Sequence, residues 1–242
     1  MTLGTLYGIG IGPGDPDLIT VKGVQLLFQC RHVVVPKASE SAGSVALRIV
    51  KKHLNPVAEI HEVVFPMITK RDELLTRWRA SAAYVESLLS RGEDVCFPTL
   101  GDTFLYSTYI YLVRALRDTL PEARIVTIPG VTAFSAVAAV TEFAIGKGKQ
   151  SVTIVPTTDD LADLRDALRR RGTVVIMKIG KRLEAVLDLL EERQAIETAV
   201  FASRVGMPDE RVETDLRKLR GRGEQTGYLS IILANVGAEG LE

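Results

Sequence analysis

What most constrains this chain is the rhythm of its first half, where short apolar runs alternate with stretches whose apolar residues recur at helical spacing. Residues 5–11 (TLYGIGI) read as a strand in which glycines allow close backbone approach. Over 18–30, Leu18, Val21, Val24, Leu27 and Phe28 fall on one helical face, with Thr20 placed to cap the amino end. The pattern repeats: strand 32–36 (HVVVP), helix 44–54, strand 60–65, long helix 71–90, strand 95–98, helix 107–116 and strand 124–128. Lys51, Lys52 and His53 close the second helix, where cations suit the helix dipole. Strands separated by helices predict a parallel sheet with helices packed on it.

Beyond Pro129-Gly130 the pattern changes. An alanine- and serine-rich helix over 131–140 is suited to close packing. It is followed by strand 151–155, helix 161–170, strand 173–179, helix 183–192 and strand 199–203. A short strand at 211–213 and a terminal one at 228–235 complete the series. More short strands and fewer long helices predict a mixed sheet. The fold class is therefore α/β with two domains, 1–125 and 126–242, joined without a Ser/Gly-rich linker.

Charge and composition exclude several functions. Lysine plus arginine equals aspartate plus glutamate, 30 each, so no overall field favours nucleic acid or an anionic membrane. No apolar run approaches the roughly 18 residues of a membrane span. The amino end carries no basic segment followed by an apolar core, so no signal peptide is expected. Cys30 and Cys96 lie outside any C-x-x-C spacing and fit a reducing, cytoplasmic compartment. His32, His53 and His61 show no metal-ligand spacing to one another or to the cysteines, and no protein-bound metal is expected.

Four segments could carry chemistry. Gly8-Ile9-Gly10-Ile11-Gly12-Pro13-Gly14-Asp15-Pro16 follows the first strand. It departs from the dinucleotide fingerprint, because Pro13 and Asp15-Pro16 interrupt the step into the helix and Asp15 would repel a pyrophosphate. Thr99-Leu100-Gly101-Asp102-Thr103 ends an apolar strand, the place where open parallel sheets bind ligands. Asp102 there reads either as an acceptor for a ligand or as a plain helix cap. Ile128-Pro129-Gly130-Val131-Thr132-Ala133-Phe134-Ser135 is a strand–turn–helix with exposed amides. Val174-Val175-Ile176-Met177-Lys178 ends in a flexible apolar side chain and a charge. Ser107 lacks the G-x-S-x-G context of a hydrolase.

In this order the four segments resemble the tetrapyrrole (corrin/porphyrin) methylase family over essentially the whole chain. Within it the sequence is similar to the precorrin-2 or cobalt-factor II C-20 methyltransferases. The stretches carrying that narrower likeness are Ser39-Glu40-Ser41-Ala42-Gly43-Ser44-Val45-Ala46, Val64-Phe65-Pro66-Met67, Thr99-Leu100-Gly101-Asp102, Tyr106-Ser107-Thr108-Tyr109-Ile110-Tyr111 and Ile176-Met177-Lys178. Thr103 departs from the family, which mostly has proline there. The resemblance implies S-adenosylmethionine folded into an interdomain cleft and held largely by backbone groups. The matching positions are Ile11, Pro13, Gly101, Asp102, Leu105, Ser107, Thr108, Thr132, Ala133, Met177, Val205, Leu229 and Ser230. It also implies a tetrapyrrole substrate rich in carboxylates, for which Lys37, Lys178 and Arg204 are the candidate partners, and a homodimer. No catalytic residue is singled out, since the methyl leaves a sulfonium by in-line displacement. Glu40, Asp102, Tyr106 and Tyr109 remain open as proton acceptors.

Three alternatives stay open at the level of sequence. Another ring carbon, C-11 or C-17, could be the one methylated. A nucleotide-binding oxidoreductase would need an acidic residue ending the second strand, where the chain has Pro36-Lys37. The last is a non-catalytic sensor of the cofactor.

Overall fold

The computed structural model describes residues 2–39, 41, 43–65 and 71–237, with side chains 71–77, 224 and 225 left aside. Glu40, Ala42 and Pro66-Met67 of the matched stretches therefore lie outside the described residues. The first sheet is built from β1 (Thr5–Gly10), β2 (His32–Lys37), β3 (Glu59–Val64), β4 (Val95–Thr99) and β5 (Arg124–Ile128), in the order β3-β2-β4-β1-β5. Every pairing in it is parallel. Strands buried on both faces read as continuous apolar runs, and β4 (VCFPT) is buried throughout. The edge strand β3 alternates more freely with polar residues and stays partly exposed.

Helices α1 (Val21–Gln29), α2 (Val45–Val50), α3 (Arg71–Leu89) and α4 (Tyr109–Thr119) connect these strands. Thr20 caps α1 as its sequence predicts, its hydroxyl accepting the Gly23 amide at 3.1 Å. The helix starts three residues later than the apolar spacing suggests, because Asp15 accepts the Asp17 amide and nucleates a separate 3₁₀ turn over Pro16–Leu18. Ser44 does double duty at α2, accepting from Leu47 N and donating to the Pro36 carbonyl at 2.8 Å. One core of this unit joins Leu6, Val34, Val85, Leu89, Phe97, Tyr109, Leu112 and Leu116. Trp78 packs against it while stacking on Tyr111, with centroids 3.8 Å apart. Cys30 and Cys96 are both buried free thiols, and burial with the neighbouring Cys30 pushes the Cys96 thiol far up, so it stays protonated.

The second sheet holds β6 (Val152–Pro156), β7 (Gly172–Met177), β8 (Ala199–Ser203), β9 (Arg211–Glu213) and β10 (Ser230–Val236), ordered β6-β7-β10-β8-β9. Only β6 and β7 run parallel, so the sheet is mixed. Alternation along β10 sends Ile232 and Ala234 to one core and Ile231 and Leu233 to the other. The first core contains α6 (Ala162–Ala167) and α7 (Leu183–Glu192), through Leu164, Val186, Leu187 and Leu190. The second receives α5 (Ala133–Thr141), whose Ala136 and Val137 sit on Val175 and Ala202. Helix α6 ends at Ala167, short of the arginine run, since Leu168 closes it with a bond to Leu164 O.

Contacts divide the chain into residues 1–132 and 133–242. Strand β5, at the sequence-expected border of 125/126, hydrogen-bonds along β1 and so lies within the first unit. Among the described residues no helix is long and apolar enough to cross a membrane.

Candidate active site

In the first unit the carboxyl ends of β1, β4 and β5 are knitted together by backbone. Ile11 N donates to Thr99 O at 3.0 Å, and Gly12 and Gly101 exchange two N–H···O bonds of 3.2 and 2.7 Å. Asp102 ties in the third strand end: one carboxylate oxygen accepts Phe104 N at 2.9 Å, the other Gly130 N at 3.0 Å. The carboxylate is thus a brace between two loops, more than the simple cap that its sequence context suggests. The approach is so close that a Cβ on Gly130 would lie 2.2 Å from the Gly101 carbonyl oxygen. Gly101 is the opposite case. Its φ is +73°, and among the described residues no atom lies within 4 Å of where its Cβ would sit.

The other first-unit candidates surround this seam. Ile11 and Pro13 are buried beside it, and Leu105 is partly covered. Ser107 donates its hydroxyl to the Thr103 carbonyl, which fixes the loop before α4 without the family's proline. Thr108 stands at the cap position of α4 but makes no side-chain cap bond. Thr132 ends the unit, and Ala133 opens α5 in the second. Lys37 ends β2, its carbonyl accepting Phe65 N.

In the second unit a separate group forms at one end of the mixed sheet. Strands β7 and β8 finish there and antiparallel β10 begins, so Met177, Lys178, Arg204, Val205, Leu229 and Ser230 are brought to one edge. Arg204 N donates to Leu229 O at 2.9 Å, and Ser230 pairs with Ser203 in register. The stretches after β8 and before β10 are therefore bonded to each other. Thr157 joins them, its amide on Met177 O at 2.8 Å and its hydroxyl on Lys178 O at 2.6 Å. Sequence reasoning missed Thr157. The only signal was a threonine just past a strand ending in proline.

Backbone strain marks the same places. Tyr106, Lys178, Arg204 and Leu229 are four of the seven described non-glycine residues with positive φ, between 49° and 59°. Such conformations cost energy and persist where surrounding structure enforces them, most often at functional sites. Arg204 already engages Asp209 at 3.1 Å and lies over the Tyr228 ring at 5.8 Å. Lys178 is exposed at its outer surface, yet its ammonium is partly desolvated, and desolvation alone lowers its pKa. Of the proton-acceptor candidates, Tyr109 is fully buried, bonded to Thr127 at 2.8 Å, with burial pushing its pKa up. It acts as a core strut, filling the space that a side chain at Gly8 would need. Tyr106 is exposed, Asp102 holds two amides, and Glu40 lies outside the described residues.

A glycine-lined seam at the carboxyl ends of β1, β4 and β5, with a strained strand-end cluster on a second, mixed sheet, places the chain in a defined class. Residues 5–220 match the Tetrapyrrole (Corrin/Porphyrin) Methylases, and the chain belongs to that family. Among curated relatives it is 32% identical over 232 residues to the cobalt-precorrin-2 C(20)-methyltransferase of Salmonella typhimurium, covering 96% of each chain. It is 28% identical over 240 residues to the precorrin-2 C(20)-methyltransferase of a Sinorhizobium species, covering 96% of this chain and 95% of that one. Among solved structures, a cobalt precorrin-4 methyltransferase superposes with TM-score 0.72 at 24% identity, covering 96% and 94% of the two chains. The uroporphyrin-III C-methyltransferase of Thermus thermophilus, complexed with S-adenosyl homocysteine, gives 0.66 at 19% identity, covering 96% and 97%. At those identities the likeness concerns the fold.

Proposed function

We propose that the chain transfers a methyl group from S-adenosylmethionine to C-20 of precorrin-2 or cobalt-factor II in cobalamin biosynthesis. The observation that carries this reading is the end-to-end match to the Salmonella C(20) enzyme, reinforced by the Sinorhizobium one. The residues present suit the cofactor. Gly101 leaves room at a strand end whose amides and carbonyls are fixed, as an adenosine group requires. Ile11, Pro13, Gly101, Asp102, Leu105, Ser107, Thr108 and Thr132 would hold it from the first unit, and Ala133, Met177, Val205, Leu229 and Ser230 from the second. When bound, S-adenosylmethionine supplies an electrophilic methyl on a sulfonium.

The chain's own contribution is to orient and to exclude water. The braced seam around Asp102 is preorganised, so ligand binding orders little that is not ordered already. Lys178, Arg204 and Lys37 present cations to the substrate's carboxylates. The transfer itself draws on no protein-bound metal, because the sulfonium is already an activated leaving group. A cytoplasmic homodimer completes the reading.

An anaerobic turnover assay with methyl-labelled S-adenosylmethionine, offering precorrin-2 and cobalt-factor II in parallel, tests it. One labelled methyl at C-20 of either macrocycle is expected, and the faster substrate identifies the pathway branch. Label at C-11 or C-17, or none, overturns the C-20 reading.

Lys178 gives a second test. Desolvation destabilises its charged form, so the unfolded chain binds the proton more readily below the ordinary lysine range of about 10.4. Stability then rises with pH through the window between the lowered pKa and that range. Lys178→Met is expected to flatten that slope and raise the melting temperature at neutral pH. The same change should raise KM for the macrocycle by about 10-fold or more, the worth of a charge-assisted hydrogen bond, with kcat little altered. A solvated surface charge would leave KM where it was.

A further inference from the structure

A second cluster of chemistry-bearing side chains sits at the opposite edge of the first sheet, at the amino ends of the strands. It lies about 15–20 Å from the glycine seam, the length of a six-residue strand at about 3.3 Å per residue. His32 and Glu59 are the first residues of β2 and β3 and are partners in parallel register. His61 follows Glu59 by two positions, so strand alternation puts it on the same face. The result is His32 Nδ1 at 3.1 Å from His61 Nε2 and 3.5 Å from a Glu59 carboxylate oxygen. The three ligand atoms all lie within 4.8 Å of one another. The 3.1 and 3.5 Å separations from His32 Nδ1 are near the roughly 3.3–3.5 Å that neighbouring ligands show around an ion with tetrahedral bonds of about 2.0–2.2 Å.

The outer contacts point the same way. His61 Nδ1 meets the Tyr84 hydroxyl of α3 at 2.8 Å, and His32 Nε2 faces a Glu93 carboxylate oxygen at 3.5 Å. With a proton on each of those outer nitrogens, the two inner nitrogens turn their lone pairs toward each other. Lone pairs facing at 3.1 Å repel unless a proton or a cation lies between them. Outer partners that fix the ring tautomer are what metal-binding histidines usually have. Glu59 is prepared too: Arg31 holds one of its oxygens at 2.6 Å and lowers its pKa, while the other oxygen is turned to His32. His32 is only 6% exposed, whereas Glu59 and His61 leave a way in from solvent.

We propose that His32, Glu59 and His61 form a binding site for a divalent ion of the zinc class, with water completing the shell. Two imidazoles and one carboxylate suit zinc or cobalt(II) better than magnesium or calcium, which prefer oxygen. Its place in the fold makes it a clasp, fastening edge strand β3 to β2 and, through Tyr84, to α3. This revises the expectation of no bound metal, and it stands independently of the methyl-transfer reading.

The test uses the full chain, free of any tag and stripped with a chelator. Titration with zinc alone by calorimetry, and with cobalt(II) followed by its visible absorption, is expected to give one ion per chain. Zinc should also raise the melting temperature. Glu59→Gln and His61→Gln should each weaken binding by about 10-fold or more, and Tyr84→Phe by less. Circular dichroism checks folding, and if the His61 variant fails to fold, the exposed Glu59 variant still reports. No saturable one-to-one binding, or binding undiminished in Glu59→Gln, would mean a proton-sharing histidine pair and overturn the proposal.

Discussion

Gly101→Leu is expected to abolish detectable binding of S-adenosyl homocysteine while leaving the protein folded. The reasoning separates two costs. At φ +73° an L-residue is strained by about 1–2 kcal/mol, which the fold can bear. The bonds that Gly101 makes, its amide to Gly12 O and its carbonyl to Gly12 N, are backbone bonds and survive the change. Apart from the two neighbouring residues, no described protein atom lies within 4 Å of the new Cβ, so the first atom of the side chain enters open space. On the proposed reading, what the leucine would displace is the ligand. Calorimetry should show affinity down by about 100-fold or more, beyond about 2.7 kcal/mol, with Gly101→Ala intermediate. Urea unfolding should show only the strain. Unchanged affinity in the leucine variant would remove Gly101 from the cofactor site and, with it, the seam from the proposal.

Much of this arrangement was legible beforehand, for local reasons. The first sheet's strands are buried on both faces and announce themselves as apolar runs, as β4 does with Val95 to Thr99. Thr20 signals its helix because a cap needs only a hydroxyl within three residues. The seam was legible as glycines after strands, though sequence could not say that Asp102 would spend both oxygens on Phe104 and Gly130. That bond spans 28 residues and exists only once β4 and β5 flank β1. Thr157 was invisible for the same reason, since its partners Met177 and Lys178 belong to the neighbouring strand. The histidine cluster is the sharpest case. Metal-ligand spacing along one chain segment gives only Glu59 and His61, and the third member arrives through parallel pairing with β2. Tyr109 erred in the other direction, offering a reactive group by composition that packing turned into a strut against Gly8.

The same close approach of strand ends makes Gly130 a sensitive position in the first unit. In Gly130→Ala the added methyl would lie 2.2 Å from the Gly101 carbonyl oxygen and 2.7 Å from two backbone atoms of Gly10. No side chain can swing aside, because all three obstacles are main chain held by strand bonds. The turn must therefore retreat from β1 and β4. In doing so it loses the bond from its amide to Asp102, stranding a partly buried carboxylate oxygen. Overpacking of this kind costs up to about 3 kcal/mol, and the lost charge-assisted bond adds to it, so the variant should lose about 3 kcal/mol or more. Gly43→Ala is the control, since a Cβ there meets no described atom within 4 Å, and it should stay within about 0.5 kcal/mol of the parent. Urea unfolding of the three proteins makes the comparison. A Gly130→Ala variant as stable as the Gly43→Ala one would mean that the three strand ends are not locked together, and that the seam proposed for the cofactor is not preformed.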